Sequence, residues 1–114
     1  MLKKFLIALT LASIALAAQG QKIYSTDSQY QADFKVYVVD SEYKADLLVF
    51  KAASQYAGGL KDNKGIWHFV DSRYKADKKI YFVDSQYKAD LKVYFVDSQY
   101  KAKWRNREKM YLLY

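Results

Sequence analysis

The residues best placed to do chemistry form a basic row near the end of the chain. Lysine or arginine occupies every second position of this row: Lys101, Lys103, Arg105, Arg107 and Lys109. Successive side chains of a strand point to opposite faces, so a strand here would project all five cations from one face, with Trp104 on the other. Such a face suits an anionic polymer such as teichoic acid, lipopolysaccharide or nucleic acid. The alternative is the solvent-facing side of a last strand whose charges prevent edge pairing.

The chain has one histidine, His68, which follows Trp67. A Ser–His mechanism would need this imidazole beside a serine, but the six repeated serines all occupy one equivalent position. His68 itself stands where related segments carry Tyr or Phe, which favours a polar substitute at an aromatic packing position. Trp67 and His68 nevertheless break the aromatic pattern, so they are candidates for a unique binding surface.

Carboxylates recur in pairs six residues apart: Asp27/Asp33, Asp40/Asp46, Asp71/Asp77 and Asp84/Asp90. Oxygen ligands of this kind can bind calcium, but the interspersed lysines favour corner capping and Lys–Asp pairing across neighbouring strands. A glycosidase would need two carboxylates in a cleft, one with a raised pKa, and no aspartate stands out. The absence of cysteine excludes disulfides and Cys-liganded metals. We therefore expect no enzyme, no metal and no cofactor.

The 114-residue chain, with 12 tyrosines, no proline and a net charge of +7, is built from one repeated unit. Copies of D-S-Q-Y-K-A begin at Asp27, Asp40, Asp71, Asp84 and Asp97, with a degenerate copy at Ala53. The consensus D-S-Q-Y-K-A-D-L-K-V-Y-F-V defines thirteen slots. Slot four is always Tyr and slot eleven is nearly always aromatic, so these two slots account for most of the tyrosines.

Slots four, six, eight, ten and twelve of the consensus are apolar and slots three, five, seven and nine are polar, which predicts a half-buried strand; apolar slots eleven and thirteen predict that its end is buried on both faces. Slot four would then be a core ladder of tyrosines; a tyrosine stacking platform on the surface is the alternative. Because thirteen is odd, each unit must break the alternation once, and Val-Asp-Ser is the natural corner. We predict a compact, mainly β domain of about six 13-residue repeats. Gly58-Gly59 and 62–65 predict a loop before the next strand, which carries Trp67, His68 and Phe69.

Residues 1–20 have the pattern of a cleaved signal peptide: Lys3 and Lys4, an apolar stretch over 5–17, and small residues at Ala18 and Gly20. A permanent anchor is the alternative, although a membrane span needs about 20 apolar residues. Cleavage after Gly20, which we prefer to the alternative after Ala17, would leave 21–114 as a single domain. We expect export to the periplasm or the extracellular space.

The repeated VDSxYKAD segments, the degenerate SQYAGGL unit and KAKW near the end resemble the septoil-knot domain proteins, a family of small bacterial proteins. The resemblance covers nearly all of 22–104. It implies a compact, β-rich and deeply threaded fold whose chain is tied in a seven-crossing torus knot, and it implies no activity. A short β-solenoid is the alternative that the repeats alone allow.

Together these patterns favour an exported, non-enzymatic β-repeat protein with a structural or binding role in the cell envelope or outside the cell. An anionic-polymer or carbohydrate binding module that uses the basic row is the first alternative, and a hydrolase is the second. The expected partners are an anionic envelope polymer, a polysaccharide or a second copy of the chain.

Overall fold

The computed structural model describes residues 21–53 and 64–114, which form seven strands and six short 3₁₀ turns. The expected signal peptide and the Gly58-Gly59 loop lie outside the described residues. The strands are β1 Gln21–Ser25, β2 Phe34–Val38, β3 Leu47–Lys51, β4 Ile66–Phe69, β5 Lys78–Phe82, β6 Leu91–Val96 and β7 Lys103–Trp104. The turns are η1 Gln29–Gln31, η2 Glu42–Lys44, η3 Arg73–Lys75, η4 Gln86–Lys88, η5 Gln99–Lys101 and η6 Arg107–Leu113.

Strands β1 to β6 close into a parallel barrel. Their order around the barrel is β4, β1, β5, β2, β6, β3, and β3 then pairs with β4. The two-residue strand β7 adds to β3 in the antiparallel direction. Because the sheet closes on itself, the β-solenoid alternative is not supported. The expectation of a mainly β domain is confirmed.

The strand in each repeat is shorter than the alternating pattern predicted, because it begins only at about slot eight. In β2 the side chains of slots eight and ten, Phe34 and Val36, point inward. Slot ten is fully buried in all six barrel strands, at Ile23, Val36, Val49, Trp67, Ile80 and Val93. A shared inward phase of branched and aromatic side chains is what a small closed barrel needs to fill its interior.

Neighbouring strands are strongly staggered, and this explains how the connections can be so short. The first half of β1 pairs with β4 and its second half pairs with β5, so Ser25 lies opposite Ile80, which lies opposite Phe34 at the start of β2. The chain therefore only has to step across β5, about 10 Å at two interstrand spacings. Residues 26–33 suffice for this step, whereas parallel connections usually need a dozen residues or more.

Each of the five connections that the structure describes in full contains the predicted Asp-Ser corner, followed by a 3₁₀ turn that packs outside the strand being crossed. In four turns the serine hydroxyl accepts a hydrogen bond of 3.2–3.3 Å from the N–H of the tyrosine two residues later: Ser41, Ser72, Ser85 and Ser98. This serine cap starts the turn. The slot-five lysine bonds the slot-one aspartate of the same turn, as in Lys44–Asp40 at 3.1 Å. For the slot-one aspartates the expectation of Lys–Asp pairing across neighbouring strands is therefore wrong, because each ion pair lies within one turn.

The slot-seven aspartates join repeats that are distant in sequence. The Asp33 N–H donates to the Lys79 carbonyl, and the Asp33 carboxylate accepts from the Lys79 N–H, both at 2.7 Å. The same two-bond link joins Asp46 to Lys92, Asp77 to Lys22 and Asp90 to Lys35. These carboxylates thus have a structural role at the points where strands begin.

The prediction that slot-four tyrosines form a core ladder is wrong. They lie on the 3₁₀ turns, and their exposed fractions run from 78% to 90%: Tyr30, Tyr43, Tyr74, Tyr87 and Tyr100. The period-two pattern fails here because slots three to five form a turn, in which side chains no longer alternate between two faces. Slot eleven, as in Tyr94, is half-buried on the barrel's outer face.

Within residues 21–53 and 64–114, the structure contains no helix long and apolar enough to cross a membrane.

Candidate functional site

The exposed tyrosines form the most unusual surface of the molecule. Five turns carry one each, and the turns lie outside β5, β6, β1, β2 and β3 in chain order. The rings therefore surround the barrel; we call this set, Tyr30, Tyr43, Tyr74, Tyr87 and Tyr100, the tyrosine belt. Soluble proteins expose single apolar side chains freely, but a recurring set of large rings is typical of an interaction surface.

Beside two of these rings lie open hollows with equivalent linings. The first is lined by Tyr74, Lys75, Asp71, Lys22 and 68–70, and the second by Tyr87, Lys88, Asp84, Lys35 and 81–83. Slot by slot, both linings contain the slot-four ring, the slot-five lysine, the slot-one aspartate and the slot-nine lysine. We call each hollow a tyrosine niche. The repeats thus create the same chemical environment more than once on one surface.

A tyrosine niche combines three kinds of group that could contact a ligand. An aromatic face can stack against a planar or sugar ring, two ammonium groups can pair with anions, and a carboxylate can accept hydrogen bonds. The slot-one carboxylates of two other repeats have lowered pKa values. The hydrogen bond and positive charge of Lys44 lower the pKa of Asp40, and Lys101 lowers the pKa of Asp97 in the same way. A general acid would require the opposite shift.

His68 lines the first niche at slot eleven. Its Nδ1–H donates to the Ala52 carbonyl at 3.1 Å, and this bond fixes the ring. The residue is half-buried in β4, as predicted for the strand after the insertion. His68 therefore occupies the position in the first niche that Tyr81 occupies in the second niche.

Trp67 does not contribute to any surface. The prediction that it pairs with His68 in a binding surface is wrong, because Trp67 is fully buried inside the barrel. It occupies slot ten of β4, the inward phase that Val36 and Ile80 occupy in other strands. Its ring packs edge-on against Phe69, with centroids 6.1 Å apart.

The prediction of a basic C-terminal strand is also wrong. Lys101 ends η5 and bonds Asp97, only Lys103–Trp104 is a strand, and Arg107 begins η6. The chain turns after β7 because the N–H groups of Arg105 and Asn106 both donate to the Asp46 carbonyl. Trp104 is half-buried and packs against the core. Of the predicted row, Lys101, Lys103, Arg105 and Arg107 are exposed and Lys109 is half-buried.

Two guanidinium groups lie against rings of the belt. Arg105 stands over Tyr43 with its Cζ 5.6 Å from the ring centroid, so the basic segment adjoins the belt. Arg73 stands 5.1 Å from the centroid of the Tyr74 ring and donates to its hydroxyl at 3.1 Å. This contact lowers the pKa of Tyr74 and raises that of Arg73. Sequence reasoning kept a surface platform of tyrosines only as the alternative to a core ladder, although the Ser-x-Tyr spacing is itself a turn-capping signal.

Comparison with known protein families matches residues 20–105 to the model of the 7(1) septoil knot domain. The chain belongs to the septoil knot domain family. The match spans the barrel, β7 and the turns η1 to η5, and it stops before η6. The resemblance read from the VDSxYKAD repeats is thereby confirmed. A search of curated proteins found no significant match to this septoil knot domain.

Proposed function

We propose that this septoil knot domain is an exported, non-enzymatic protein that binds an anionic polysaccharide along its tyrosine belt. The observation that carries the proposal is the recurrence of the tyrosine niche, with the same ring, lysines and aspartate in two repeats. A polymer of repeating sugar rings presents repeating apolar faces and anionic groups. Such a ligand matches a surface whose chemistry also repeats.

Each niche alone is open and shallow, so its affinity should be low. Binding of one polymer to several niches raises the overall affinity because each further contact is intramolecular. The lysine contribution is screened by salt over about 10 Å at 0.1 M ionic strength. We therefore expect weak retention of single sugars and strong, salt-sensitive retention on a polymer.

The test is chromatography of the full chain on heparin-agarose, as an anionic polysaccharide, and on amylose resin, as a neutral one. The parent should be retained on heparin and eluted by salt. Tyr74→Ala/Tyr87→Ala should elute at clearly lower salt. The matched control is Tyr111→Ala, which removes a ring that is 68% exposed but lies on η6, outside the belt. Co-elution of the double variant with the parent would exclude the belt as the binding surface.

The basic C-terminal surface is a second candidate for the same kind of ligand. Its support is the position of Arg105 over Tyr43, which joins exposed cations to one ring of the belt. Arg105→Ser/Arg107→Ser should then reduce retention more than the tyrosine variant does, whereas Lys64→Ser serves as a control for one lost surface charge. Equal elution of Arg105→Ser/Arg107→Ser and the Lys64→Ser control would leave the basic surface as a solvated edge.

We propose that export follows cleavage after Gly20. The mature chain after this cleavage, 21–114, would contain all of the described residues, including strand β1 at Gln21–Ser25. N-terminal sequencing of the protein recovered from culture medium or periplasm should begin at Gln21. Recovery of a chain that still carries Met1 in the membrane fraction would favour the anchor instead.

We also propose that the chain is knotted, as the family's description states. Each of the five crossovers that carry η1 to η5 passes outside a strand from another part of the chain, which is the kind of interlacing that threading requires. The test joins the two chain ends enzymatically in the folded state and then denatures the product. A trapped knot should keep the cyclic chain more compact than one cyclised while unfolded, as measured by denaturing gel mobility. Identical mobilities would show that no knot was trapped.

A further inference from the structure

We call the end of the barrel at which the strands begin the mouth. The side chains of the strands fill one side of this mouth more completely than the other. Slot eight carries Phe34, Leu91 and Leu47 in the neighbouring strands β2, β6 and β3, respectively, and all three are buried. On the other side of the barrel the same slot carries Gln21 and Lys78, and Gly65 precedes β4. This half of the mouth has polar or absent side chains where the other half has large apolar ones.

The C-terminal segment completes the mouth. Leu113 is 2% exposed and belongs to the barrel's core cluster, although it lies in η6. Gln21 Nε2 donates to the Leu113 carbonyl at 2.9 Å, and Lys78 Nζ donates to the main-chain oxygen of Tyr114 at 2.9 Å. The exceptional slot-eight residues therefore bind the main chain of the segment while its leucine fills the space between them.

These contacts have the form of a peptide site. A buried amide costs free energy unless it is bonded, and Gln21 is nine-tenths buried. Two further buried polar atoms, Gln21 Oε1 and Trp67 Nε1, have no hydrogen-bond partner within the described residues, and their residues lie opposite each other in β1 and β4. The bound segment also lies beyond residue 105, where the family match ends. The barrel and its occupant are thus separable features of the chain.

We propose that this mouth is a binding site for a short peptide with the Leu-Tyr sequence, occupied in cis by residues 107–114. Gln21 and Lys78 recognise two successive main-chain oxygens, and the core cluster receives the leucine. Displacement of the cis segment opens the site to the same segment of a second copy. The site is independent of the tyrosine belt, since the belt lies on the outer turns.

The test uses the full chain and a fluorescent synthetic peptide with the sequence of residues 106–114. Leu113→Asp should release the cis segment, because a carboxylate cannot enter the apolar core, and the variant should then bind the added peptide. The parent should bind it at least tenfold more weakly, since its own segment acts at a high effective concentration. Tyr111→Asp is the matched control, because it changes an exposed residue of the same turn and should behave like the parent.

A peptide carrying the Leu113→Asp change should not bind either protein. A folded Leu113→Asp chain, judged by near-ultraviolet circular dichroism, that fails to bind the wild-type peptide would overturn the proposal.

A second measurement covers the case in which Leu113→Asp does not fold. Lys78→Met keeps a long side chain and removes only the ammonium group that donates to Tyr114. Hydrogen exchange of amides in 107–114 should accelerate severalfold, while exchange in β2 and β6 stays unchanged. Lys64→Met is the control. Unchanged exchange of the segment in Lys78→Met would show that Lys78 does not hold it, and the proposed site would fail.

Discussion

The Asp46 carboxylate accepts a hydrogen bond of 2.8 Å from the main-chain N–H of Lys92, 46 residues away, and the Asp46 N–H donates back to the Lys92 carbonyl. Asp46 also receives the Asn106 side-chain amide at 3.2 Å, and it is the buried member of the four equivalent slot-seven aspartates. This one residue joins β3, β6 and the start of the C-terminal segment.

Removal of the Asp46 carboxylate should destabilise the folded protein. Asp46→Ala should lower the free energy of unfolding by about 2–3 kcal/mol, because hydrogen bonds to charged groups contribute about 1.5–3 kcal/mol and the N–H of Lys92 would lose its partner. Asp90→Ala removes the exposed equivalent, where water can replace the carboxylate, and should cost less. Urea unfolding measures both. Equal losses would contradict a special role for Asp46.

The two tyrosine slots should differ sharply in their contribution to stability. Tyr94, in slot eleven, packs against the cluster of Val39, Ala45 and Leu48. Tyr94→Ala should cost about 2 kcal/mol, roughly half the cost of removing a fully buried aromatic ring. Tyr87→Ala removes a ring that is 90% exposed and should leave the melting temperature unchanged. If the slot-four tyrosines had a core role, both variants would have lower melting temperatures than the parent.

Gly65 should tolerate no side chain. Its φ of +97° lies in the region that favours glycine, and a Cβ would collide with the Leu48 carbonyl oxygen. Gly65→Ala should cost at least about 1–3 kcal/mol from backbone strain alone. It should also weaken the Gly65 carbonyl's 2.8 Å bond to the Phe50 N–H. Thermal denaturation beside Lys64→Ala, an exposed neighbour, measures the difference; equal melting temperatures would contradict the steric argument.

Tyr74 should titrate at lower pH in the parent than in Arg73→Ala. Arg73 lowers the pKa of Tyr74 through a hydrogen bond and then through charge attraction, so removing the guanidinium should raise that pKa. A lowered folded-state pKa of a tyrosine stabilises the fold only above that pKa, and the contribution is lost as pH falls through it. Arg73→Ala should therefore leave stability at pH 7 unchanged. Nuclear magnetic resonance of the tyrosine Cζ against pH follows the shift; an unmoved Tyr74 titration would contradict the contact.

The sequence alone correctly predicted the Asp-Ser corners and, for most strands, which side chains point into the barrel. Ser72 and Ser85 cap their turns as the Asp-Ser pattern predicted, because that signal is local. Val36 and Val93 point inward as predicted, because burial recurs at one slot. Tyr87 was misplaced because an alternating pattern cannot show where a strand begins. Trp67 was misplaced although the alignment that puts His68 at slot eleven puts Trp67 at slot ten, the inward slot, because its unusual residue type was given more weight than its slot.

The closure of the barrel and the position of Leu113 could not be read from the sequence. Both depend on which strands become neighbours, and the unit's period of thirteen gives no information on pairing between units. The polar residues Gln21 and Lys78 in an apolar slot were the available signal for the mouth. From the sequence alone, these two polar residues are indistinguishable from ordinary variation between repeats, because their contacts to the C-terminal segment depend on the fold.

The strand order has a consequence for how the two halves of the chain depend on each other. Every hydrogen-bonded strand pair joins one of β1 to β3 with one of β4 to β7, so neither 21–53 nor 64–114 contains a strand pair of its own. A fragment ending at residue 53 would have strands but no sheet, and so would its complement. Each half of the chain supplies three of the six barrel strands, so neither half can form the barrel without the other.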